Sequence, residues 1–463
     1  MRKHLVWFRN DLRVHDHPAL SAAGRSDASV IALYILTPAT WRYHEAAACK
    51  IDFILRNLQI LEQELAALGI PLYIENLDSY EATPEGLLGF CAQHQVDAVY
   101  LNAQYEIDER RRDQKVATQC QQQGIGYYCF DEQLLITPGT ILSNANQPIH
   151  QFKAFWRRWL SLADQLSCQE QPFPVQRPPV RALAQVPQSL PGFEVGSHFR
   201  LLWPAGERVA SQKLNDFLEE KVTDYHETRD FPAKMGTSSL SPYLAQGVIS
   251  IRRILMRLQQ ALEVTSFEAL IKRPGYASWL NELIWREFYK HRLFLLPKLA
   301  CSQTMREQIR PWPWHEDQEA FQRWREGQTG FPFIDAGLRQ LQQTGWMHNR
   351  LRMNVAVFLA KLLRIDWRWG ESHFSRNLID GDLAANNGGW QWCAGIGVDA
   401  LPYFRIFNPI LQSQRFDPEG AFIRQYCPEL RHLSAREIHQ PRPSAMIDYQ
   451  RARTEALQIF RLA

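Results

Sequence analysis

The sequence predicts an α/β domain with a doubly wound, parallel five-stranded sheet, followed by a large all-α domain. Three observations support this prediction. Short β-type runs alternate with helical patterns in residues 1–131, six prolines fall within residues 171–191, and long helical patterns fill residues 206–463. Alternating strands and helices are typical of Rossmann-like sheets, and 463 residues exceed one ordinary core.

The elements follow from the spacing of apolar residues. The predicted strands are residues 4–8, 30–36, 71–77, 98–105 and 126–131, and the helices between them are residues 46–68, 84–94 and 106–123. After an extended, proline-containing interdomain linker over residues 132–205, the all-α domain occupies residues 206–463. Its predicted helices include residues 208–223, 243–262, 276–293, 330–344 and 349–363.

The turn after the first strand, residues 9–16, has the charged sequence RNDLRVHD. A dinucleotide-binding fold would place G-x-G-x-x-G there, so that the backbone could approach a pyrophosphate. We therefore expect a nucleotide-type sheet that lacks the usual nucleotide-binding turn.

Charge and cysteine content restrict the functional classes. The net charge of +3 requires that arginines be concentrated on one face if nucleic acid is the partner. The eight cysteines form no C-x-x-C pair and have no zinc-ligand spacing, which predicts no metal site and a reducing compartment. The N-terminus has no apolar run long enough for a signal peptide, and no segment approaches the length of a membrane span, so we expect a cytoplasmic protein without membrane contact.

Hydroxyl side chains precede a helix start in residues 236–244, GTSSLSPYL. Ser241 is the predicted N-cap and Pro242 the first helical residue. Hydroxyls and free N–H groups at such a start suit a phosphate. A well-capped helix without a ligand explains the same residues, and taken alone the segment favours that simpler interpretation.

One predicted helix gathers aromatic and charged residues. Trp279, Glu282, Arg286 and Tyr289 share a helical face, and Trp285 lies beside it. Such a carboxylate would be partly buried among aromatic rings. The alternative is an intrahelical ion pair between Glu282 and Arg286 on a solvated face.

Two arginines of the next segment diverge, because Arg350 and Arg352 are two positions apart on a predicted helix. One would point to an external phosphate and the other inward, where a buried guanidinium needs a carboxylate. Asp380 and Asp382 are the candidates. Without that pairing this is an ordinary basic helix.

Ten of the fifteen tryptophans lie between Trp279 and Trp392, and residues 380–392, DGDLAANNGGWQW, close that window. Their glycines predict a loop that permits close backbone approach, and Asn386 and Asn387 offer donors and acceptors to a heteroaromatic ring. Indoles beside these residues indicate a wall around a flat, redox-active ligand. A large core filled by indoles is the alternative.

The order of these segments, together with residues 6–16 and 403–409, resembles the photolyase/cryptochrome family over essentially the whole chain. The pattern is similar to bacterial class I cyclobutane pyrimidine dimer photolyases that carry a folate antenna. The resemblance implies light-driven repair of pyrimidine dimers in DNA, by electron transfer from excited, reduced FAD to a flipped-out dimer. It also implies that residues 1–131 bind the antenna, that residues 206–463 bind FAD and DNA, and that the protein is a monomer.

The resemblance assigns residues to each part of the site. FAD would contact Tyr225, Thr237, Ser238, Ser239, Leu240, Ser241, Trp279, Arg286, Arg352, Asp380, Gly381, Asp382 and Asn386. DNA would contact Arg229, Glu282, Trp285, Tyr289, Asn349, Arg350, Met353, Trp392 and Gln412. The catalytic residues would be Glu282, Asn386, Trp390, Trp367 and Trp314.

The implied catalytic roles differ from residue to residue. Glu282 would hydrogen-bond the damaged pyrimidine, and Asn386 would face flavin N5 and favour the fully reduced anion. Trp390, Trp367 and Trp314 would form the electron-hopping chain that photoreduces the flavin.

The antenna would be 5,10-methenyltetrahydrofolate bound at His44, Asp108 and Glu109. Position 108 usually carries asparagine in folate-type relatives, so a deazaflavin, another flavin or no antenna stay open. Ser239 stands where close relatives have an arginine, so one flavin phosphate contact would be lost or supplied from elsewhere.

Three other functions are weighed against this one. A six–four photolyase typically has two histidines where this chain has Asn349 and Met353. Signalling cryptochromes often have a C-terminal extension and many replace the residue at Asn386, whereas this sequence stops at Ala463. A dark flavin oxidoreductase would need a nicotinamide site, and no segment resembles one.

Overall fold

A computed structural model of the protein describes residues 2–25, 28–166, 169–173, 177–182, 186–301, 303, 313–400, 402 and 404–462. The chain begins with a parallel five-stranded sheet in the order β3-β2-β1-β4-β5. The strands are β1 (Lys3–Phe8), β2 (Ser29–Leu36), β3 (Leu72–Asn76), β4 (Ala98–Asn102) and β5 (Gly126–Phe130). The predicted doubly wound domain is confirmed, with strand ends that differ by a few residues.

Helices connect the strands and form the rest of the chain. Around the sheet they are α1 (Pro18–Gly24), α2 (Pro38–Tyr43), α3 (Ala48–Ala67), α4 (Thr83–His94) and α5 (Ile107–Gln122). Two follow the sheet, α6 (Phe152–Ala163) and α7 (Ser197–Leu202). The helical part contains α8 (Glu207–Glu220), α9 (Tyr225–Thr228), α10 (Ser241–Ala245), α11 (Ile251–Gln260), α12 (Phe267–Leu270), α13 (Pro274–Leu295), α14 (Gln318–Arg325), α15 (Pro332–Thr344), α16 (Asn349–Val357), α17 (Trp367–Ser375), α18 (Leu383–Ala394), α19 (Pro409–Phe416), α20 (Ala421–Tyr426) and α21 (Tyr449–Leu462). Short 3-10 turns lie at Pro297–Cys301 and Pro428–Leu430, and a π-helix lies at Phe358–Leu363.

Both faces of the sheet are covered, as parallel sheets require. Side chains alternate along β1, so Leu5 and Trp7 pack with apolar residues of α4 and α5. Val6 and Phe8 point to the other face and pack with α1 and α3. Both α1 and α2 escaped prediction because seven and six residues are too few for a periodic pattern.

The helix predicted at residues 243–262 is wrong, since the structure has α10 and α11 separated by a turn. Gly247 lies in that turn with φ +58, and a Cβ placed there would come 2.2 Å from the carbonyl oxygen of Asn10. The chain therefore breaks where the helical part meets the turn after β1.

The helix predicted at residues 349–363 is an α-helix only in its first part. It continues from α16 into a π-helix, a form that is frequent at functional sites. Lys361 of this π-helix is fully buried and donates from Nζ to the carbonyl oxygens of Pro402 (3.1 Å) and Arg405 (3.4 Å). Burial lowers the pKa of Lys361 to about 8.

The region expected to be a linker also holds secondary structure. Helix α6 buries Phe152, Phe155 and Trp159. The Phe155 ring lies 5.2 Å from that of Phe288 on α13, so α6 belongs to the core of the helical part. The described residues among positions 171–191 form no helix or strand, in agreement with the expected extended chain.

The charged turn after β1 joins the α/β part to the helical part. Arg13 is 1% exposed and donates to the carboxylate of Glu132 and, at 2.9 Å, to the carbonyl oxygen of Gly247. Asp16 accepts from Nη1 of Arg252 at 2.8 Å. The residues found in place of a glycine-rich turn are therefore a structural junction. Among the described helices, none combines the length and apolar character needed to cross a membrane.

Candidate functional site

Three hydroxyl groups lie side by side before α10. The side chains of Thr237, Ser238 and Ser239 are half-buried, and no described residue hydrogen-bonds to them. Ser239 has φ +52, a left-handed conformation that is uncommon outside glycine. These hydroxyls are therefore available to the acceptor oxygens of a ligand such as a phosphate.

Ser241 does not cap α10. The helix begins at Ser241 with Leu240 at the N-cap, so the predicted start is wrong by one residue. The Ser241 hydroxyl accepts instead from Nε1 of Trp346 at 3.2 Å. Leu240 is 1% exposed and packs in the core beneath this turn.

Tyr225 and Trp279, which were both predicted to contact FAD, belong to one group of aromatic rings. Phe217 of α8 lies between them, with its ring centroid 5.6 Å from Tyr225 and 4.6 Å from Trp279. All three rings are buried, and Leu240 belongs to the same cluster. The three rings therefore form one buried aromatic cluster.

Of the pairings that the sequence left open, the structure shows that of Arg352 with Asp380. Nη2 of Arg352 lies 3.1 and 2.8 Å from the two carboxylate oxygens, and its Nε donates to the carbonyl oxygen of Met347 at 2.8 Å. The arginine therefore points inward, as one of the two on α16 was expected to do.

Asp382 has a different partner. It pairs with Lys290 at 2.8 Å and accepts from the backbone N–H of Ala385 at 3.0 Å, so it is the N-cap of α18. Burial alone would raise the pKa of Asp382, but Lys290 and Arg286 outweigh burial and hold the pKa well below its usual value. A permanently charged carboxylate next to two cations results.

Lys50 of α3 brings the α/β part into contact with this site. Its Nζ donates to the carbonyl oxygen of Gly381 at 2.8 Å. Burial lowers the pKa of Lys50, and the carboxylates of Asp382 and Glu106 oppose that shift. The turn that carries Asp382 is thus held from both halves of the protein.

The stretch predicted as a loop at residues 380–392 is mostly helix α18, so that prediction is wrong. Gly388 lies where α18 meets α13, and a Cβ there would come 2.2 Å from Cδ1 of Tyr289. Glycine at this position serves helix contact, because any side chain would clash with the ring.

Asn386 presents one free side of its amide. Its Nδ2 donates to the carbonyl oxygen of Glu371 at 2.9 Å and to the hydroxyl of Ser375 at 3.1 Å. No described residue donates to its Oδ1. Asn386 can therefore accept a hydrogen bond from a ligand. The amide of Asn387, in contrast, has a partner within the protein, because its Nδ2 donates to Oε1 of Glu371 at 2.8 Å.

Residues predicted to contact DNA meet at a surface cavity of about 270 Å³, called here the first cavity. Its lining comprises Asp230, Arg350, Met353, Trp392, Arg405, Phe407, Gln412, Arg415 and Phe416. Four of these, from three separate helices, were assigned to DNA from the sequence: Arg350, Met353, Trp392 and Gln412. The first cavity therefore brings together four of the residues that the sequence assigned to DNA.

Sequence reasoning missed the other arginines of the first cavity. Arg405 and Arg415 make no ion pair with any described residue, whereas Arg350 pairs with Asp230 at 2.5 Å and lies 4.3 Å over the ring of Phe416. Residues 403–409 contribute to the family resemblance, but the resemblance gives Arg405 no role. Arg415 carries no local signal that would have identified it.

The predicted alternative of an ion pair between Glu282 and Arg286 is wrong. Glu282 pairs with Nη1 of Arg229 at 2.8 Å, and its side chain is 29% exposed. Arg286 donates instead to the carbonyl oxygen of Gln133 at 2.7 Å. Glu282 is therefore oriented by a residue of another segment, and both were assigned to DNA.

Other residues assigned to DNA lie outside the lining of the first cavity. Trp285 stacks on Phe152 with ring centroids 3.6 Å apart and lies 5.6 Å from Tyr289. One face of Trp285 is thus occupied within the protein. Asn349 is exposed at the start of α16.

The three tryptophans of the predicted electron chain belong to one apolar cluster. Trp390 and Trp367 are 2% and 0% exposed, and their Nε1–H groups have no hydrogen-bond partner, while Trp314 is half-buried. Trp324 lies 6.2 Å from Trp390. A Cβ at Gly370 would come 2.1 Å from Cη2 of Trp390, so glycine gives this indole its space.

The three predicted antenna residues also meet at one place. Nε2 of His44 lies 3.1 Å from Oδ2 of Asp108. The hydroxyl of Tyr80 donates to Glu109 at 3.1 Å, and burial together with Glu106 raises the pKa of Glu109. The group lies at the start of α5 on the α/β part.

Comparisons with known proteins agree over the whole chain. Family models described as DNA photolyase and as FAD binding domain of DNA photolyase match residues 4–179 and 279–460. The deoxyribodipyrimidine photo-lyases of Vibrio cholerae and Escherichia coli are 43% and 40% identical; the matches cover 99% and 100% of this chain and 99% of each relative. A class III photolyase from Agrobacterium tumefaciens has a TM-score of 0.84 at 31% identity, covering 100% of this chain and 98% of that one. A Synechocystis cryptochrome has a TM-score of 0.85 at 28% identity, covering 99% of each chain.

Proposed function

The chain belongs to the DNA photolyase family, and we propose that it repairs cyclobutane pyrimidine dimers in DNA by light, as a deoxyribodipyrimidine photo-lyase that uses FAD. One observation carries the proposal for this chain. The first cavity gathers Arg350, Met353, Trp392 and Gln412, and it lies on the helices that continue to Arg352 and Asn386. Residues assigned to DNA and to FAD thus share two helices.

The residues present fit FAD. The free hydroxyls of Thr237, Ser238 and Ser239 would hold phosphate oxygens, and the free Oδ1 of Asn386 would accept from the flavin ring. Asp382 is fixed in its charged form beside Lys290, so it would offer a constant acceptor on the same side. When bound, FAD supplies the light-excited electron donor.

Photolyases act on bases that must leave the DNA helix. Arg350, Arg405 and Arg415 would contact phosphates around the extruded pair and fix its position without reading sequence. Met353 and Trp392 line the same cavity and would cover the bases. Aromatic contacts of this kind return about 1–3 kcal/mol per base and offset part of the cost of extrusion.

Glu282 would hydrogen-bond the dimer and stabilise charge that develops on it during ring splitting. Arg229 holds the Glu282 carboxyl at 2.8 Å from a neighbouring segment and is therefore its positioning residue. Trp285, with one face on Phe152, would offer its other face to the lesion.

The chain of Trp390, Trp367 and Trp314 would carry an electron from the protein surface toward FAD. Burial without a partner for the indole N–H supports this role, because no hydrogen bond ties the first two indoles to a structural contact. Trp314 is more exposed than either and would be the outer end.

We propose 5,10-methenyltetrahydrofolate as the antenna at His44, Asp108 and Glu109. A buried carboxyl beside an imidazole offers hydrogen-bonding partners to a heteroaromatic ring, which supports this ligand class. Absorption and mass spectra of the small molecules released from the purified protein would identify it. Release of a deazaflavin or a second flavin instead would contradict this assignment and leave the repair function intact.

The protein is proposed to act as a cytoplasmic monomer, with pyrimidine-dimer-containing DNA as its partner. The unpaired cysteines of the described residues agree with a reducing compartment. Sedimentation of the FAD-loaded protein with and without a dimer-containing duplex tests the stoichiometry. A two-to-one complex would contradict the monomer.

The decisive experiment illuminates the reduced, FAD-loaded protein with an oligonucleotide that bears one defined thymine dimer. Restored thymines are expected in light and not in darkness, and a six–four lesion in a matched oligonucleotide should remain. Failure to restore thymines while reduced FAD stays bound would overturn the proposal. Repair of the six–four lesion alone would replace it with the sister activity.

A further inference from the structure

A second cavity of about 500 Å³ adjoins the first. The two cavities share Arg405, Phe407 and Gln412. Helix α21 contributes Tyr449, Gln450 and Arg453 to the second cavity only. None of these three residues was assigned a role from the sequence. The second cavity therefore extends the proposed DNA surface to α21, a helix for which the sequence predicted no role.

The segment between the two cavities is fixed at both ends. On one side Lys361 donates to the carbonyl oxygens of Pro402 and Arg405 from the buried π-helix. On the other side Asn408 caps α19, because its Oδ1 accepts from the N–H of Ile410 at 2.9 Å. The described residues of this shared wall are therefore held at Arg405 and at Asn408.

Charge in the second cavity is unbalanced. Neither Arg405 nor Arg453 forms an ion pair with a carboxylate among the described residues. Arg451, two positions earlier on α21, is 82% exposed and pairs with Glu455 at 2.9 Å. Arg453 is half-buried and lines the second cavity, so a cation without a carboxylate partner among the described residues faces this space. An anionic ligand would supply that partner.

We propose that the second cavity binds a backbone phosphate and the adjoining deoxyribose of the DNA strand beside the dimer, with Arg453 contacting the phosphate. This inference rests on the proposed function. Phe407 and Leu411 supply apolar surface for the sugar, and Leu411 is 59% exposed. DNA is the occupant because the cavity continues directly from the one assigned to the lesion.

A single phosphate contact has a measurable signature. Each phosphate neutralised in B-DNA adds about 0.9 to the slope of log K against log salt concentration. Between 50 and 200 mM salt, one contact therefore changes affinity by a factor of about 3.5. When the salt concentration rises from 50 to 200 mM, the ratio of the wild-type affinity to the affinity of a variant that lacks the contact should fall by about 3.5-fold.

The test measures binding of FAD-loaded protein to a dimer-containing duplex in darkness over this salt range. Arg453→Ala should reduce the slope by about 0.9, and Arg453→Lys, which keeps the charge, should restore most of it. Arg451→Ala removes one charge from the same helix outside the cavity and is the matched control. We expect it to leave affinity within about twofold, as an exposed ion pair contributes little.

Shortening the duplex on one side of the dimer at a time locates the phosphate. The effect of Arg453→Ala should vanish for one truncation and persist for the other. An effect of Arg453→Ala equal to that of Arg451→Ala, or one that survives both truncations, would overturn the inference. Repair of the thymine dimer by the wild type in the same experiments keeps the proposed function separate from this outcome.

Discussion

Breaking the ion pair between Arg352 and Asp380 from its two sides should have unequal effects on stability. The Asp380 side chain is 4% exposed and that of Arg352 is 25% exposed. Removing the arginine leaves a buried carboxylate without a partner in the described part of the protein, a change that typically costs about 3–5 kcal/mol. Removing the carboxylate charge leaves a guanidinium that water reaches and that still donates to the Met347 carbonyl oxygen at 2.8 Å.

We expect Arg352→Met to destabilise the helical part by about 3 kcal/mol, the lower end of the range, because water reaches the arginine side of the pair. Asp380→Asn should cost about 1 kcal/mol, since the amide oxygen still accepts from Nη2. In a unit of about 250 residues, 1 kcal/mol shifts Tm by about 2 °C. The expected decreases in Tm are therefore about 6 °C and about 2 °C.

The assay follows the fluorescence of FAD released on heating, because the flavin reports unfolding of the part that binds it. Midpoints measured at several FAD concentrations separate a change in protein stability from a change in FAD affinity. A decrease for Asp380→Asn that equals or exceeds the decrease for Arg352→Met would refute the argument from unequal burial.

Three further changes test other parts of the site. Glu282→Ala should slow dimer splitting in light more than it weakens DNA binding in darkness, because Arg229 stays available for a phosphate; equal losses in rate and affinity would contradict the role of Glu282. Trp390→Phe should block light-driven reduction of oxidised FAD, followed by absorbance, while protein reduced chemically still repairs dimers; unchanged photoreduction would exclude Trp390 from the chain. Burial raises the pKa of Glu287 to about 7, so the folded state holds a proton that the unfolded chain releases above about pH 4.5, and this contribution to stability is lost as pH rises toward 7. The Tm of Glu287→Gln relative to wild type should therefore rise from pH 5 to pH 8, and a constant difference would refute that assignment.

The sequence predicted elements well where apolar spacing is unambiguous, as in β1 and α3. It failed where two structures share one pattern. The π-helix at Phe358–Leu363 has the sequence FLAKLL. Six residues are too few to distinguish the apolar spacing of a π-helix from that of an α-helix. The glycines of α18 favoured a loop, because glycine costs about 1 kcal/mol in a helix. Contact with Tyr289 at Gly388 outweighs that local preference.

Site residues were predictable where chemistry demands a partner or where the family resemblance supplies a position. A buried guanidinium needs a carboxylate, which limited the partner of the inward arginine to Asp380 or Asp382 without choosing between them. Arg453 could not be identified, since nothing in the spacing of the arginines on α21 distinguishes it and its neighbours in the second cavity come from distant segments. Only the fold brings α21 to the segment that carries Arg405.

Charged side chains of the turn after β1, together with Lys50, join the α/β part of the protein to the helical part. A hydrogen bond fixes position more narrowly than a dispersion contact does, because it depends on angle as well as distance. Arg13 and Lys50 make directional hydrogen bonds to the carbonyl oxygens of Gly247 and Gly381, and a shift of the halves would break both bonds. Lys50 lies on α3 and holds the turn that contains Asp382, so movement of the α/β part would be felt at the proposed flavin site. These bonds therefore fix the α/β part, which carries the proposed antenna residues, relative to the turn that carries Asp382.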